Sequence, residues 1–102
     1  MSQKELLNLV SVGKQTLCDF QRLGIRSTLE LAKADPVALY ERLAILDGQK
    51  HDPCVLDTLF AAVAQSRHAD LKGSAKKWWY WSRIRKEKGI DGLRKELRTL
   101  TE

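Results

Sequence analysis

The stretch that most constrains this chain is residues 6–24, LLNLVSVGKQTLCDFQRLG. Two apolar runs at helical spacing are joined by a short apolar turn, Val10-Ser11-Val12-Gly13. Such a turn brings the start of the second helix to the surface with its first N–H groups unpaired. Those donors, with the positive end of the helix dipole, suit a phosphate oxygen. Glycine at position 13 removes the Cβ that would hold a polyanion backbone away.

This is the outline of a helix-hairpin-helix motif, whose commoner turn is Gly-apolar-Gly. Ser11 stands where the first Gly is expected, and serine carries a penalty at positive φ that glycine does not. The competing reading is a helix connection that packs and binds nothing.

Capping signals place the remaining elements. Ser2-x-x-Glu5 is a capping box that starts a helix at Ser2, with Leu6, Leu7 and Leu9 on its apolar face. The next helix runs from about Gly13 to Leu23, and Gly24 fits the position just past its end. Ile25 then re-enters the core. Ser27-x-x-Glu30 opens a short third helix. Asp35-Pro36 and Asp52-Pro53 are two further starts, with Asp as cap and Pro where no N–H is needed. The Asp35-Pro36 helix runs to about Leu46, and Asp47-Gly48 ends it. The Asp52-Pro53 helix carries FAAVA, apolar on more than one face, which marks it as the central, most buried helix. A loop follows around residues 70–75, and a last helix starts near Asp91. No strand pattern appears. The expected fold is all-α: five to six short helices in a small bundle of SAM-like, helix-hairpin-helix type.

Charge is distributed unevenly. Residues 1–71 hold eight basic and nine acidic side chains. Residues 72–88 hold seven basic (Lys72, Lys76, Lys77, Arg83, Arg85, Lys86, Lys88) and only Glu87 as an acid. Residues 89–102 hold three of each. The net charge of +5 therefore sits in one 17-residue segment, which points to a polyanionic partner. The same segment contains Trp78, Trp79, Tyr80 and Trp81, four of the seven aromatic residues. Cations there would meet phosphates while a ring stacks on a base. Against this, tryptophan is usually largely buried, so at least two of the three are expected in the core. A charge run can also be simply a solvated face. Lys14, at the start of a helix, opposes the dipole unless an anion is present.

At 43% hydrophobic residues the chain can bury a modest core, and no apolar run approaches the ~18–20 residues of a membrane span. MSQKELL is not a signal peptide, so a cytoplasmic location is expected. Cys18 and Cys54 read as buried thiols, not a disulfide. A zinc site needs four convergent ligands, and no such set is spaced here. No nucleophile–base pair or phosphate loop is present, so no catalytic residues, no metal and no small-molecule substrate are assigned. Glu30, Asp35, Glu41 and Asp57 read as caps and solvent-facing charges.

The successions VSVGKQTLCDFQRLGIRSTLELAKADPVALYERL, DGQKHDPCVLDTLFAAVA and KKWWYW resemble a family of short bacterial helix-hairpin-helix proteins, the "pathogenicity locus" proteins. Some members carry the label mitomycin resistance protein. The resemblance covers roughly residues 6–81. It implies a small all-α bundle that binds DNA without catalysis, holding the phosphate backbone through turn amides. It also admits a monovalent cation on turn carbonyls. It assigns the contact role to Val12, Gly13, Lys14 and Gln15, and implies a setting in DNA repair or processing.

Together these readings divide the chain into a helical domain at 1–81 and a basic linker with an amphipathic helical extension at 82–102. The expected function is largely sequence-independent DNA binding. Val12, Gly13, Lys14, Gln15 and Thr16 would meet one phosphate strand, and Lys76, Lys77, Arg83, Arg85 and Lys86 another. The alternative is a protein-interaction or self-associating module, using Leu93, Leu97 and Leu100 as an exposed stripe.

Overall fold

The computed structural model describes residues 6–68, 70–71 and 73–101. The expected helix start at Ser2, its Ser2–Glu5 capping box and Lys72 lie outside the described residues. Leu6 and Leu7 form a helical turn. Five helices follow: α1 (Lys14–Arg22), α2 (Thr28–Ala32), α3 (Pro36–Asp47), α4 (Pro53–Arg67) and α5 (Trp78–Thr101), with a 3-10 turn at Gly73–Lys76 between the last two. No strand occurs among the described residues, and none of their helices is long and apolar enough to cross a membrane.

The helix ends follow local chemistry. Asp35 accepts a hydrogen bond from the Val37 N–H at 3.0 Å, and Asp52 one from Cys54 at 2.8 Å. Each leaves Pro in the first turn, where its missing donor costs nothing. Ser27 Oγ accepts from the Glu30 N–H at 3.1 Å, and the Glu30 carboxylate reaches back to the Arg26 N–H. Gly24, at φ 81°, turns the chain out of α1, and Ile25 N–H bonds Phe20 O at 2.8 Å across it.

Helix α4 is the centre of the molecule. Phe60, Ala61, Ala62, Val63 and Ala64 have no exposed surface, and α2, α3, α5 and the 3-10 turn all pack against it. Small residues at three of those five positions let the neighbouring elements approach closely. Trp81 stacks on Phe60 with ring centroids 5.7 Å apart, and its indole N–H donates to Ala75 O at 2.8 Å. A buried indole needs such a partner.

Three expectations are corrected here. Only Trp81 is in the core; Trp78 and Trp79 are each 40% exposed. Cys18 is exposed and Cys54 half-buried. Most consequential is the C-terminal region, which is neither a linker nor an exposed stripe. Helix α5 begins at Trp78, and at Gly89 (φ 70°, ψ −165°) the chain adopts a conformation open essentially to glycine alone. There it folds back. The Tyr80 hydroxyl donates to the Glu96 carboxylate, although sixteen residues of straight helix would separate them by about 24 Å. Leu93 is fully buried, Leu97 nearly so, and Leu100 packs on the core edge. Gly92 permits the close return, since a Cβ there would stand 2.3 Å from Lys88 Cβ. The leucine stripe expected to face a partner is satisfied within the chain.

Candidate nucleic-acid interface

Ser11 is the one non-glycine residue at positive φ (73°) among the described residues. That conformation costs about 1–2 kcal/mol for a residue with a Cβ. The side chain supplies a compensation that glycine could not. Ser11 Oγ accepts from the Trp78 N–H at 3.1 Å. Trp78 opens α5, and the first N–H groups of a helix have no intrahelical partner. The turn thus caps a helix that begins 67 residues later, an interaction worth about 1 kcal/mol. Serine in place of the expected glycine has a physical reason.

A second tie runs alongside. The Gln65 side-chain amide, nine-tenths buried near the end of α4, accepts from Val10 N–H at 2.8 Å and donates to Val10 O at 2.9 Å. The same nitrogen lies 3.1 Å from Lys76 O and 3.1 Å from Ala61 O. One side chain therefore holds the 10–13 turn and the start of the basic segment to the central helix.

The turn ends in Gly13, which stands before α1 with extended backbone (φ −103°, ψ −169°). Nothing lies within 4 Å of where its Cβ would be, so the surface above it is open. No side chain caps α1, and no acidic residue sits in its first turn. The first intrahelical bond is Leu17 N–H to Gly13 O at 2.9 Å, so the amides of Lys14, Gln15 and Thr16 precede it. Lys14 and Gln15 are exposed and Thr16 is half-buried. Val12, expected among the contacts, is instead a core residue at 8% exposure whose N–H donates to Leu9 O at 3.3 Å, so its amide is not among the open donors.

In the basic segment the candidates separate. Lys77, Arg83 and Lys86 are exposed and Lys76 is half-buried. None of the four, nor Lys14, forms an ion pair among the described residues. Lys77 Nζ and the Arg83 guanidinium each lie 5.9 Å from the centre of the Trp79 ring, a spacing at which cations are held over the ring face.

Arg85 turns inward. Its guanidinium grips the Asp57 carboxylate, Nε to Oδ1 at 2.9 Å and Nη2 to Oδ2 at 3.1 Å, and also reaches Ser82 Oγ at 3.4 Å. Asp57 has no exposed surface. Donating to this carboxylate raises the Arg85 pKa above its ordinary value. Arg85 is thus removed from the free cations expected at this surface, and Asp57 is corrected from a solvent-facing charge to the buried partner of Arg85. On a helix, positions 82 and 85 lie on one face with Trp81 beside them, and that face meets α4. Arg22 is likewise engaged, with Asp19 and Asp47.

One residue that matters here was not singled out from the sequence, Gln65, and another, Asp57, was read there only as a solvent-facing charge. The available signal was a polar side chain on the buried surface of an otherwise apolar helix, which must find a partner.

Residues 1–87 match the Pathogenicity locus family. This chain belongs to the pathogenicity locus family. A "Mitomycin resistance protein McrB" of Streptomyces lavendulae is 40% identical over 82 residues, which cover 80% of this chain and 74% of that protein. No solved structure matches the chain. The pathogenicity locus match spans the turn, Gln65, the Asp57–Arg85 pair and the basic aromatic segment. It stops two residues before Gly89, so the folded-back half of α5 lies beyond it.

Proposed function

We propose that this chain is a non-catalytic DNA-binding module whose 10–13 turn acts as a helix-hairpin-helix turn, largely indifferent to sequence. Backbone amides from Gly13 through Thr16, with Lys14, hold one phosphate run; the Val12 N–H is already committed to Leu9 O. Lys76, Lys77, Arg83 and Lys86 hold a second. Contacts of this kind position a nucleic acid without reading it.

The observation that carries this reading is the Ser11–Trp78 hydrogen bond. It joins the open helix start of α1 and the start of the basic segment into one surface. A merely solvated charge face would have no need to be held against a helix start that no side chain caps. The name of the Streptomyces relative adds only a setting, resistance to mitomycin. The competing partner-binding reading relied on Leu93, Leu97 and Leu100, of which the first two are buried and the third packs against the edge of the core.

The test is fluorescence anisotropy of a labelled duplex of about 20 bp, titrated across about 50–200 mM salt. Each neutralised phosphate contributes about −0.9 to the slope of log K against log salt, so three to five contacts give about −3 to −5. Gly13→Glu, placing an acid at the turn, and the Lys76→Ala/Lys77→Ala pair should each weaken binding. Absence of binding at the lowest salt overturns the proposal. Replacing potassium by a bulky organic cation in the same titration tests for a monovalent ion at the turn.

A further inference from the structure

Beside the turn lies a groove of about 180 Å³ between α1 and α4. Val55 and Leu59 supply apolar surface, the exposed Trp78 indole closes one side, and Gln15, Thr16 and Asp19 line the polar edge. Resting on the DNA-binding reading, we propose that this groove receives one unpaired nucleobase carrying an exocyclic amine.

Size is the first argument. A cavity of about 150 Å³ accommodates a benzene ring, whereas drug-sized ligands occupy about 300–1,000 Å³. A groove of 180 Å³ is on the scale of a single flat ring system. Position is the second. Gln15 and Thr16 both line the groove and belong to the open first turn of α1. A phosphate on those amides therefore places its own nucleotide at the groove mouth. Trp78 then offers a stacking face, and base–aromatic stacking tolerates any base.

Chemistry is the third. Asp19 is 7% exposed, and its Oδ1 accepts from Gln15 Nε2 at 3.2 Å and Arg22 Nη1 at 3.5 Å. Its other oxygen carries no hydrogen bond among the described residues. A carboxylate oxygen at the groove edge accepts from the amine of cytosine or adenine. Thymine has no amine, and its ring N–H stands between two carbonyls that the carboxylate repels. In intact duplex the base edges are paired, so the groove acts only where a strand is open: a tail, a gap or a displaced base.

The experiment compares three labelled probes on the intact protein at one salt concentration: a blunt duplex, the same duplex with a five-nucleotide dC tail, and the same duplex with a dT tail. The dC tail should tighten binding by roughly tenfold over the blunt duplex, in the range stacking of one base supplies. The dT tail should gain no more than the charge of its phosphates gives. Tryptophan emission should quench with the dC tail, and Trp78→Leu should remove that quench. Thr58 also lines the groove from α4, and Thr58→Leu, which would fill it, should abolish the dC advantage while leaving blunt-duplex affinity within about twofold. Asp19→Asn should level dC and dT. Equal gains for both tails, or a dC advantage that survives Thr58→Leu and Trp78→Leu in variants that melt normally, overturns this proposal while blunt-duplex binding keeps the DNA reading intact. Failure of all three probes overturns the DNA reading itself.

Discussion

Gln65→Leu is the perturbation that best isolates how the interface is assembled. Leucine matches glutamine closely in volume and suits the apolar surface of α4, so the change removes hydrogen bonds with little loss of packing. The amide nitrogen has only two protons for its three nearby carbonyls, those of Val10, Ala61 and Lys76. With the bond accepted from Val10 N–H, at most three full hydrogen bonds are lost. Each is worth a net of about 1 kcal/mol. Val10 is exposed and Lys76 half-buried, so water can re-solvate their backbone groups in the variant. The expected loss is therefore about 2–3 kcal/mol, below the total of about 5–15 kcal/mol for a domain of this kind. In equilibrium urea denaturation with a slope near 1.5 kcal/mol/M, the midpoint should fall by about 1.3–2 M without a change of slope. The variant should remain folded, yet its DNA affinity should fall and its salt slope flatten, because the turn and the basic segment are no longer held in register. A double-mutant cycle with Ser11→Ala should show coupling, since both ties span the same gap. A midpoint shift under about 0.3 M would refute the clamp, as would independent, additive effects of the two changes.

Three further outcomes follow from the same packing. Arg85→Ala should destabilise by about 3–5 kcal/mol because it strands the Asp57 carboxylate in the core, whereas Asp57→Leu/Arg85→Met should recover most of that loss; thermal melts decide, and parity of the single and double variants would sink the pairing argument. Ser11→Gly exchanges a lost cap for a relieved φ and should stay within about 0.5 kcal/mol of the parent. Ser11→Ala keeps the strain without the cap and should lose about 1–2 kcal/mol; alanine equal to glycine would contradict the capping role. The Tyr80 phenol is pushed up to about 12, by burial first and by its bond to Glu96 second. A group whose folded pKa is raised contributes stability that is fully present below its ordinary value near 10 and lost as pH rises towards 12. Denaturation midpoints between pH 9 and 12 should decline in the parent and decline less in Tyr80→Phe; parallel profiles would refute the assignment.

The all-helical architecture and most helix ends could be read directly from the chain. Asp35-Pro36, Asp52-Pro53, Ser27-x-x-Glu30 and Gly24 each act through atoms within a few residues, so position along the chain suffices to predict them. The central role of α4 was equally legible, because FAAVA leaves no polar face to present to water. What local pattern could not decide is which surfaces meet. Arg85 and Asp57 are 28 residues apart, Val10 and Gln65 are 55 apart, and Ser11 and Trp78 are 67 apart. A charge run such as residues 72–88 looks uniform until packing consumes one of its members. The leucines at 93, 97 and 100 read as an unpartnered stripe because the pattern of an exposed helix and of one folded back on its own chain is the same. Only the conformation at Gly89, with the missing Cβ of Gly92, turned that stripe inward. Helix start, stop and period are settled by short-range hydrogen bonding and rotamer sterics; the choice of partner for each face is settled by burial, which depends on the whole chain at once.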